Sequence, residues 1–296
     1  MKFTILVRLH WAALRALLVL TVVLGLGYPV AVWLVAQLPG LHDQAEGSII
    51  EVNGKAAGSR LIGQSFTDAA GHALPQYFQS RPSAAGNGYD PTASGASNLG
   101  PEDIVDTPAR KSLLTLVCER SKAVGELEHV DGSRPFCTGG GVGAVLSVLG
   151  ARDARGNVIH PTRVVSVNEP CTTTARPFVD SFAGVRVECA KPGENYSTGR
   201  IVPVRGSAPG NPPVPADAVT ASGSGLDPDI SPAYADIQAA RVARTRHVST
   251  DQIRELVREN QHGRDLGSSA SRGSTSYSST WRWTISIRSQ ADVTGG

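Results

Sequence analysis

Residues Thr220–Pro232, TASGSGLDPDISP, put Ser222, Gly223, Ser224, Gly225, Asp227 and Asp229 into one short run. Three chemistries use such residues. A phosphate cradle needs GxxxxGK[ST], and this run has no lysine or arginine. A dinucleotide turn needs GxGxxG, but Pro228 stands where the third glycine belongs. A nucleophile elbow needs GxSxG, and neither Ser222 nor Ser224 has that frame. A serine hydrolase also needs a base. His72, His129, His160, His247 and His262 are the candidates, and none lies in a recognisable local motif. Asp227 and Asp229 are a possible cation pair. The alternative is structural, with Asp227 making an Asx-turn before Pro228 and Asp229 complementing the helix that follows.

The elements that must position this run follow from punctuation and periodicity. Ser231 with Pro232 predicts a helix start, and the helix should reach about Arg246. Ser249 and Gln252 have capping-box spacing for a second helix to about His262, with Gly263 as its terminator. Upstream, Leu113, Leu114, Leu116, Val117, Val124 and Leu127 recur at helical spacing over 111–127. LIGQSF (61–66) reads as a short strand, and PQYFQSRPSA (75–84) as a helix or turn ended by Pro82. Runs such as RVVSVN, VRVEC and RIVPVRGSA read as strands, so the middle of the chain is a strand-rich lobe.

Ala16–Leu38 carries no charge and, at 1.5 Å per residue, spans roughly 35 Å as a helix, enough for a bilayer core. Its apolar run is too long for a secretory signal, so it is expected to stay as an anchor. Pro29 should kink it, and Gly25 and Gly27 offer a close-approach face. Lys2, Arg8 and Arg15 precede it, while Asp43, Glu46 and Glu51 follow, so the amino terminus is expected in the cytoplasm and the rest outside. The 28 basic and 26 acidic residues leave a net charge of +2 with no basic stripe, which argues against nucleic-acid binding. Four cysteines (Cys118, Cys137, Cys171, Cys189) lack any CxxC spacing. Outside the cytoplasm they are expected to form two disulfides, in any of three pairings. The expected class is α+β: one transmembrane helix, then an extracytoplasmic mixed α/β domain with a strand-rich insertion.

In order, the anchor, LIGQSF, YFQSRPSA, SGASNLGP, VPADAVTASGSGLDPDISPAYADIQAARVARTR and GRDLG resemble the C-subunit family of the Kdp potassium-transporting ATPase. The resemblance covers about 10–40, 60–115 and 200–267. It implies a cytoplasmic tail at 1–12, a transmembrane helix at 13–38 and a linker at 39–60 leading into a family domain split between 39–115 and 201–267. A Cys-containing insertion fills 116–200. It further implies a non-catalytic membrane subunit that stabilises the pump and raises the ATP affinity of its ATP-hydrolysing partner, with no metal of its own. Its partners would be the potassium-translocating KdpA, the ATP-hydrolysing KdpB, the small peptide KdpF and membrane lipid. Gln64 and Ser222, Gly223, Ser224 and Gly225 would be nucleotide or partner contacts by position. The expected topology puts them outside, where ATP is scarce, and so favours partner contacts. The other readings are an anchored hydrolase using Ser222 or Ser224 and an adhesive or binding domain.

Two departures stand out. Asp229 replaces a family histidine. After Gly267 the tail 268–296 is Ser-rich rather than an alternating apolar strand. Suitable codons for Ser268–Thr284, read one nucleotide out of frame, give FLGEPRVNVILELNLAVD, the family's type of ending. A frameshift after about Gly267 accounts for the tail. Its Ser-rich part is expected to be disordered, and WRWTISI (281–287) to alternate like a strand.

Overall fold

The computed structural model describes residues 2–52, 54–85, 90, 92–95, 99–262 and 273–275. Two compact units result, residues 1–61 and 62–296.

The first unit begins with helix α1 (Lys2–Val22), continues through a π-helical turn (Val23–Gly27) and ends its apolar run with α2 (Tyr28–Ala36). Helix thus starts well before residue 13. Phe3–Ala36 is long and apolar enough to cross a membrane. The π turn explains how Pro29 is tolerated. A proline cannot donate to the carbonyl four residues back and its ring crowds that carbonyl, so the ladder locally widens. The Tyr28 N–H accordingly reaches back five residues, to Val23 C=O. The segment 39–60 is more than a linker. It holds a helical turn α3 (His42–Ala45) and a hairpin of β1 (Ile49–Val52) and β2 (Lys55–Ser59). Arg60 pairs with Asp43, and the Ser59 hydroxyl donates to Gly47 C=O (2.6 Å), tying the hairpin to the turn.

The second unit has two parts. The first is helical. Helix α4 (Leu113–Glu128) starts where the Ser112 hydroxyl accepts the Thr115 N–H. It turns Val117 and Val124 toward the main core, which includes Phe78, Val214, Val219, Tyr234, Val242 and Ile253. The second part is a five-stranded sheet. Its strands are β3 (Val145–Arg152), β4 (Val158–Pro170), β5 (Ser181–Phe182), β6 (Val185–Ala190) and β7 (Arg200–Pro203), in the order β5-β6-β4-β3-β7. Both faces are covered. Val164 joins Leu146, Val148 and Val187 on one side, while Val165, next in sequence, packs with Ala190 and Tyr196 on the other. That is why Val164 and Val165 are both apolar although they face opposite sides. The disulfides are Cys118–Cys137, tying α4 to the lobe, and Cys171–Cys189, tying β4 to its parallel neighbour β6.

On the lobe surface Arg163 pairs with both Glu188 and Glu194. The guanidinium, and then the Tyr196 hydroxyl, pull the Glu194 carboxyl down to about 2. Its folded value lies below its unfolded one, so the stability it contributes is present above the ordinary carboxylate range. That stability disappears only as pH falls toward 2. A carboxyl ¹³C titration of Glu194 should therefore show a midpoint near 2, and a midpoint near 4 would contradict the pairing.

Past the lobe come β8 (Asp229–Ile230), α5 (Pro232–Arg246), α6 (Thr250–Glu259), β9 (Gln261–His262) and β10 (Gly273–Thr275). Ser231 caps α5 through Tyr234 N–H, and Ser249 with Gln252 forms the full capping box of α6. The α6 helix stops at Glu259, three residues early, because Gln261 and His262 pair with β10 instead. β10 lies between β8 and β9, so part of the tail expected to be disordered is a strand. Gly263, 268–272 and 276–296, including WRWTISI, lie outside the described residues.

Candidate functional site

The run after Thr220 is held almost wholly by backbone. The Ser222 N–H donates to Pro82 C=O (2.7 Å), and Ser222 C=O accepts from Ala84 N–H (2.8 Å). Gly223 C=O accepts from Gly95 N–H (2.6 Å), Ser224 C=O from Asp90 N–H (3.4 Å), and Leu226 C=O from Gly63 N–H (2.9 Å). LIGQSF, QSRPSA and SGASNLGP, far apart in the chain, therefore meet on one loop. LIGQSF forms no strand: it begins in a turn and a bend, and its Gly63 is spent on the loop. A Cβ on Gly63 would lie 2.6 Å from Asp227 C=O, so only glycine lets the two backbones approach. Gly225 has φ +73°, the left-handed region that other residues rarely occupy.

Gln64 follows directly and is half-buried, so the structure brings Gln64 and Ser222–Gly225 to one place. The two serines differ. Ser222 is engaged through its main chain, whereas the Ser224 hydroxyl accepts from Leu226 N–H (3.4 Å). The Asx-turn holds, since Asp229 N–H donates to Asp227 (3.2 Å). The helix cap is different from expectation. Asp217, not Asp229, reaches the start of α5, accepting from Ser231 N–H (2.7 Å) and Ser231 Oγ (2.8 Å).

Arg81 is the residue that sequence reasoning missed. It sits in QSRPSA, donates to the carbonyls of Thr220 (3.3 Å) and Ala221 (3.5 Å), and pairs with Asp227 at 2.7 Å. Its signal is a lone arginine in QSRPSA opposite a loop that carries Asp227 and Asp229 but no basic residue. A deeper brace stands behind it. Arg241 on α5 grips Glu128 at the end of α4 through Nε (2.9 Å) and donates to Pro75 C=O (2.6 Å) and Tyr77 C=O (3.0 Å). Arg241 also bonds Gln238, which holds Gln79 in both directions: Gln79 N–H donates to its Oε1 (2.7 Å) and its Nε2 donates to Gln79 C=O (3.1 Å). Burial pushes the Glu128 carboxyl up, against the pull of Arg241.

The chemistry this site can do is limited by those bonds. At the helix N-terminus nearest the loop, the Tyr234 N–H is taken by the Ser231 hydroxyl, and the Asp217 carboxylate holds Ser231 itself. His129 and His247 are the left-handed residues closing α4 and α5, and His72 pairs with Asp68. Among the described residues neither serine hydroxyl is hydrogen-bonded to a histidine. Among them, too, no cluster of three His, Cys, Asp or Glu side chains could hold a metal. What the geometry does is lock four separated segments into one rigid surface.

The family model described as "KdpC: K+-transporting ATPase, c chain" matches residues 10–128 and 196–273. A Kineococcus radiotolerans protein named potassium-transporting ATPase KdpC subunit is 35% identical over 267 residues, covering 90% of this chain and 88% of its own. Proteins of the same name from Koribacter versatilis and Mycobacterium tuberculosis are each 32% identical. They cover 84% and 86% of this chain, and 80% and 86% of their own lengths.

Proposed function

The chain belongs to the KdpC family, the c subunit of the potassium-transporting ATPase, and from that premise we propose how it acts. It is a non-catalytic accessory subunit that assembles with KdpA, KdpB and KdpF, stabilises the complex and raises the ATP affinity of KdpB. The observation that carries this is the loop: its backbone holds LIGQSF, QSRPSA and SGASNLGP together, and among the described residues no base is hydrogen-bonded to its serines. Gln64 and Ser222–Gly225 are proposed as partner contacts rather than a nucleotide site. The outward topology, and the capping of α5 by Ser231 rather than by a ligand, support that reading.

The anchor 3–36 makes the protein single-pass, with its amino terminus in the cytoplasm. Two disulfides suit an extracytoplasmic domain. Residues 129–195, which the family model passes over, are proposed as the insertion. α4 remains with the family domain because it packs on the main core.

The test is purification of the tagged chain from potassium-starved membranes. A P-type ATPase subunit should co-purify, and complex assembled without this chain should need more ATP for half-maximal hydrolysis. Recovery of the chain alone overturns the assembly role. Equal ATP dependence with and without it overturns the chaperone role.

A further inference from the structure

The Cys118–Cys137 bridge closes a loop that starts on α4 and returns beside it. His129 ends the helix in the left-handed region, and the Ser121 hydroxyl donates to Gly132 C=O (2.9 Å), which holds the return against the helix. Each arm of this loop carries an arginine close to its cysteine. Arg120 stands two residues after Cys118, and Arg134 three residues before Cys137. Both end on the stretch just ahead of the candidate loop. Arg120 Nη1 donates to Val219 C=O (3.0 Å), and Arg134 Nη1 donates to Val214 C=O (2.7 Å).

Both side chains belong to half-buried residues, and among the described residues neither has a carboxylate partner at ion-pair distance. Glu119, next to Arg120 in the chain, is held by Lys111. Burial accordingly pulls both guanidiniums below the ordinary arginine value. A half-buried cation without a counter-charge depends on its neutral acceptors, so these two carbonyl contacts matter to both partners. The stretch they hold is a turn. The Val219 and Thr220 N–H groups both donate to Ala216 C=O (3.2 and 3.0 Å), and Val214, Ala218 and Val219 are buried. It runs directly into Ser222, and the next two carbonyls, of Thr220 and Ala221, are the ones Arg81 takes.

We infer that the Cys118–Cys137 bridge is a redox-dependent clamp on the candidate loop. Closed, it keeps Arg120 and Arg134 at the separation that fixes Val214–Val219, and through them Ser222–Gly225. Open, it lets that separation vary and the loop loosens. Closing the bridge removes two electrons and two protons from the two thiols, and a disulfide oxidant takes them up to become a dithiol. A dithiol reductant reverses the step. A domain exported with reduced cysteines therefore gains its fixed loop only after oxidation outside. The Cys171–Cys189 bridge, which joins β4 to β6 within the sheet, is the natural control. The purpose of the clamp rests on the loop being a partner contact, whereas the clamp itself is read on the chain alone, so the two can fail separately.

The experiment is hydrogen exchange on the full chain in lipid nanodiscs. A Cys171→Ala/Cys189→Ala background lets dithiothreitol act on one bridge, and alkylation scored by mass reports its state. On reduction, exchange over 214–222 should rise about tenfold, the scale of one lost charge-assisted hydrogen bond, while 235–246 of α5 stays protected. With the bridge intact, Arg120→Gln/Arg134→Gln should give the same rise, and reduction of that variant should add little. Unchanged exchange over 214–222 on reduction overturns the clamp. An equal loss of protection across α5 also overturns it, because the bridge is then a general staple. A full further rise on reducing the arginine variant overturns it too, because the effect then bypasses the arginines. Where the rise over 214–222 occurs but oxidised and reduced chains capture a P-type ATPase subunit equally, the clamp stands and the partner reading of the loop falls.

Discussion

Replacing Arg241 with methionine should lower the stability of the protein by about 3–5 kcal/mol, the usual cost of stranding one partner of a buried ion pair. Arg241 and Glu128 are almost wholly shut off from solvent, with side-chain exposures of 4% and 0%. The loss is not confined to that pair. The same guanidinium holds the carbonyls of Pro75 and Tyr77, so the segment leading to Arg81 and the loop loses its anchor. Adding Glu128→Gln to Arg241→Met should recover part of the loss, since no uncompensated charge then remains. The single variant should also be pH-sensitive. Burial already raises the Glu128 carboxyl, and removing Arg241 takes away the largest pull against it. A carboxyl raised in the folded state contributes stability below its unfolded value and loses it as pH rises through the folded value. The deficit should therefore be larger at pH 8 than at pH 5. Urea unfolding of the four-member cycle at both values measures this, and additive losses with no pH dependence would rule it out.

Removing Cys118–Cys137 by a paired alanine substitution should cost about 3 kcal/mol, the loop-closure value for a span of this size. The bridge spans 19 residues and ties the buried Cys118 on α4 to the lobe. Cys171–Cys189 spans 18, so its entropic worth is nearly the same. Its consequences differ. It ties the end of β4 to β6, whereas the first bridge joins the lobe to the helix that packs on the main core. Loss of the first should expose the α4 side to hydrogen exchange. Loss of the second should loosen only β5 and β6. Exchange measured on both double variants distinguishes them, and identical patterns would contradict this division.

Local signals made much of this fold legible. Ser231–Pro232 and Ser249–Gln252 act through bonds within four residues, so the starts of α5 and α6 follow directly from sequence. The α4 spacing is equally local. The helix begins two residues into the expected 111–127 span, where Ser112 caps it. LIGQSF failed because a short apolar run does not say what its backbone will pair with, and Gly63 pairs with a loop 163 positions later. The cysteine pairing was open for the same reason, being set by the lobe topology. Arg81 and the Glu128–Arg241 brace are long-range contacts with no periodic trace. In the tail, Gly273–Thr275 forms a strand although its residues are poor strand formers. A ladder needs only backbone donors and acceptors, and β8 and β9 leave a slot for one. The candidate loop was legible as a pattern, but its role as the meeting point of three other motifs was not.

The sheet of the lobe begins with β3 and ends with β7, hydrogen-bonded neighbours with Val145 opposite Pro203. Ends that close can be joined by a tight turn, so everything between them is a detachable cassette from the host's point of view. A gene could gain or lose it without stretching the rest of the chain. It can therefore change its contacts while the loop after Thr220, built entirely by the host, keeps its shape.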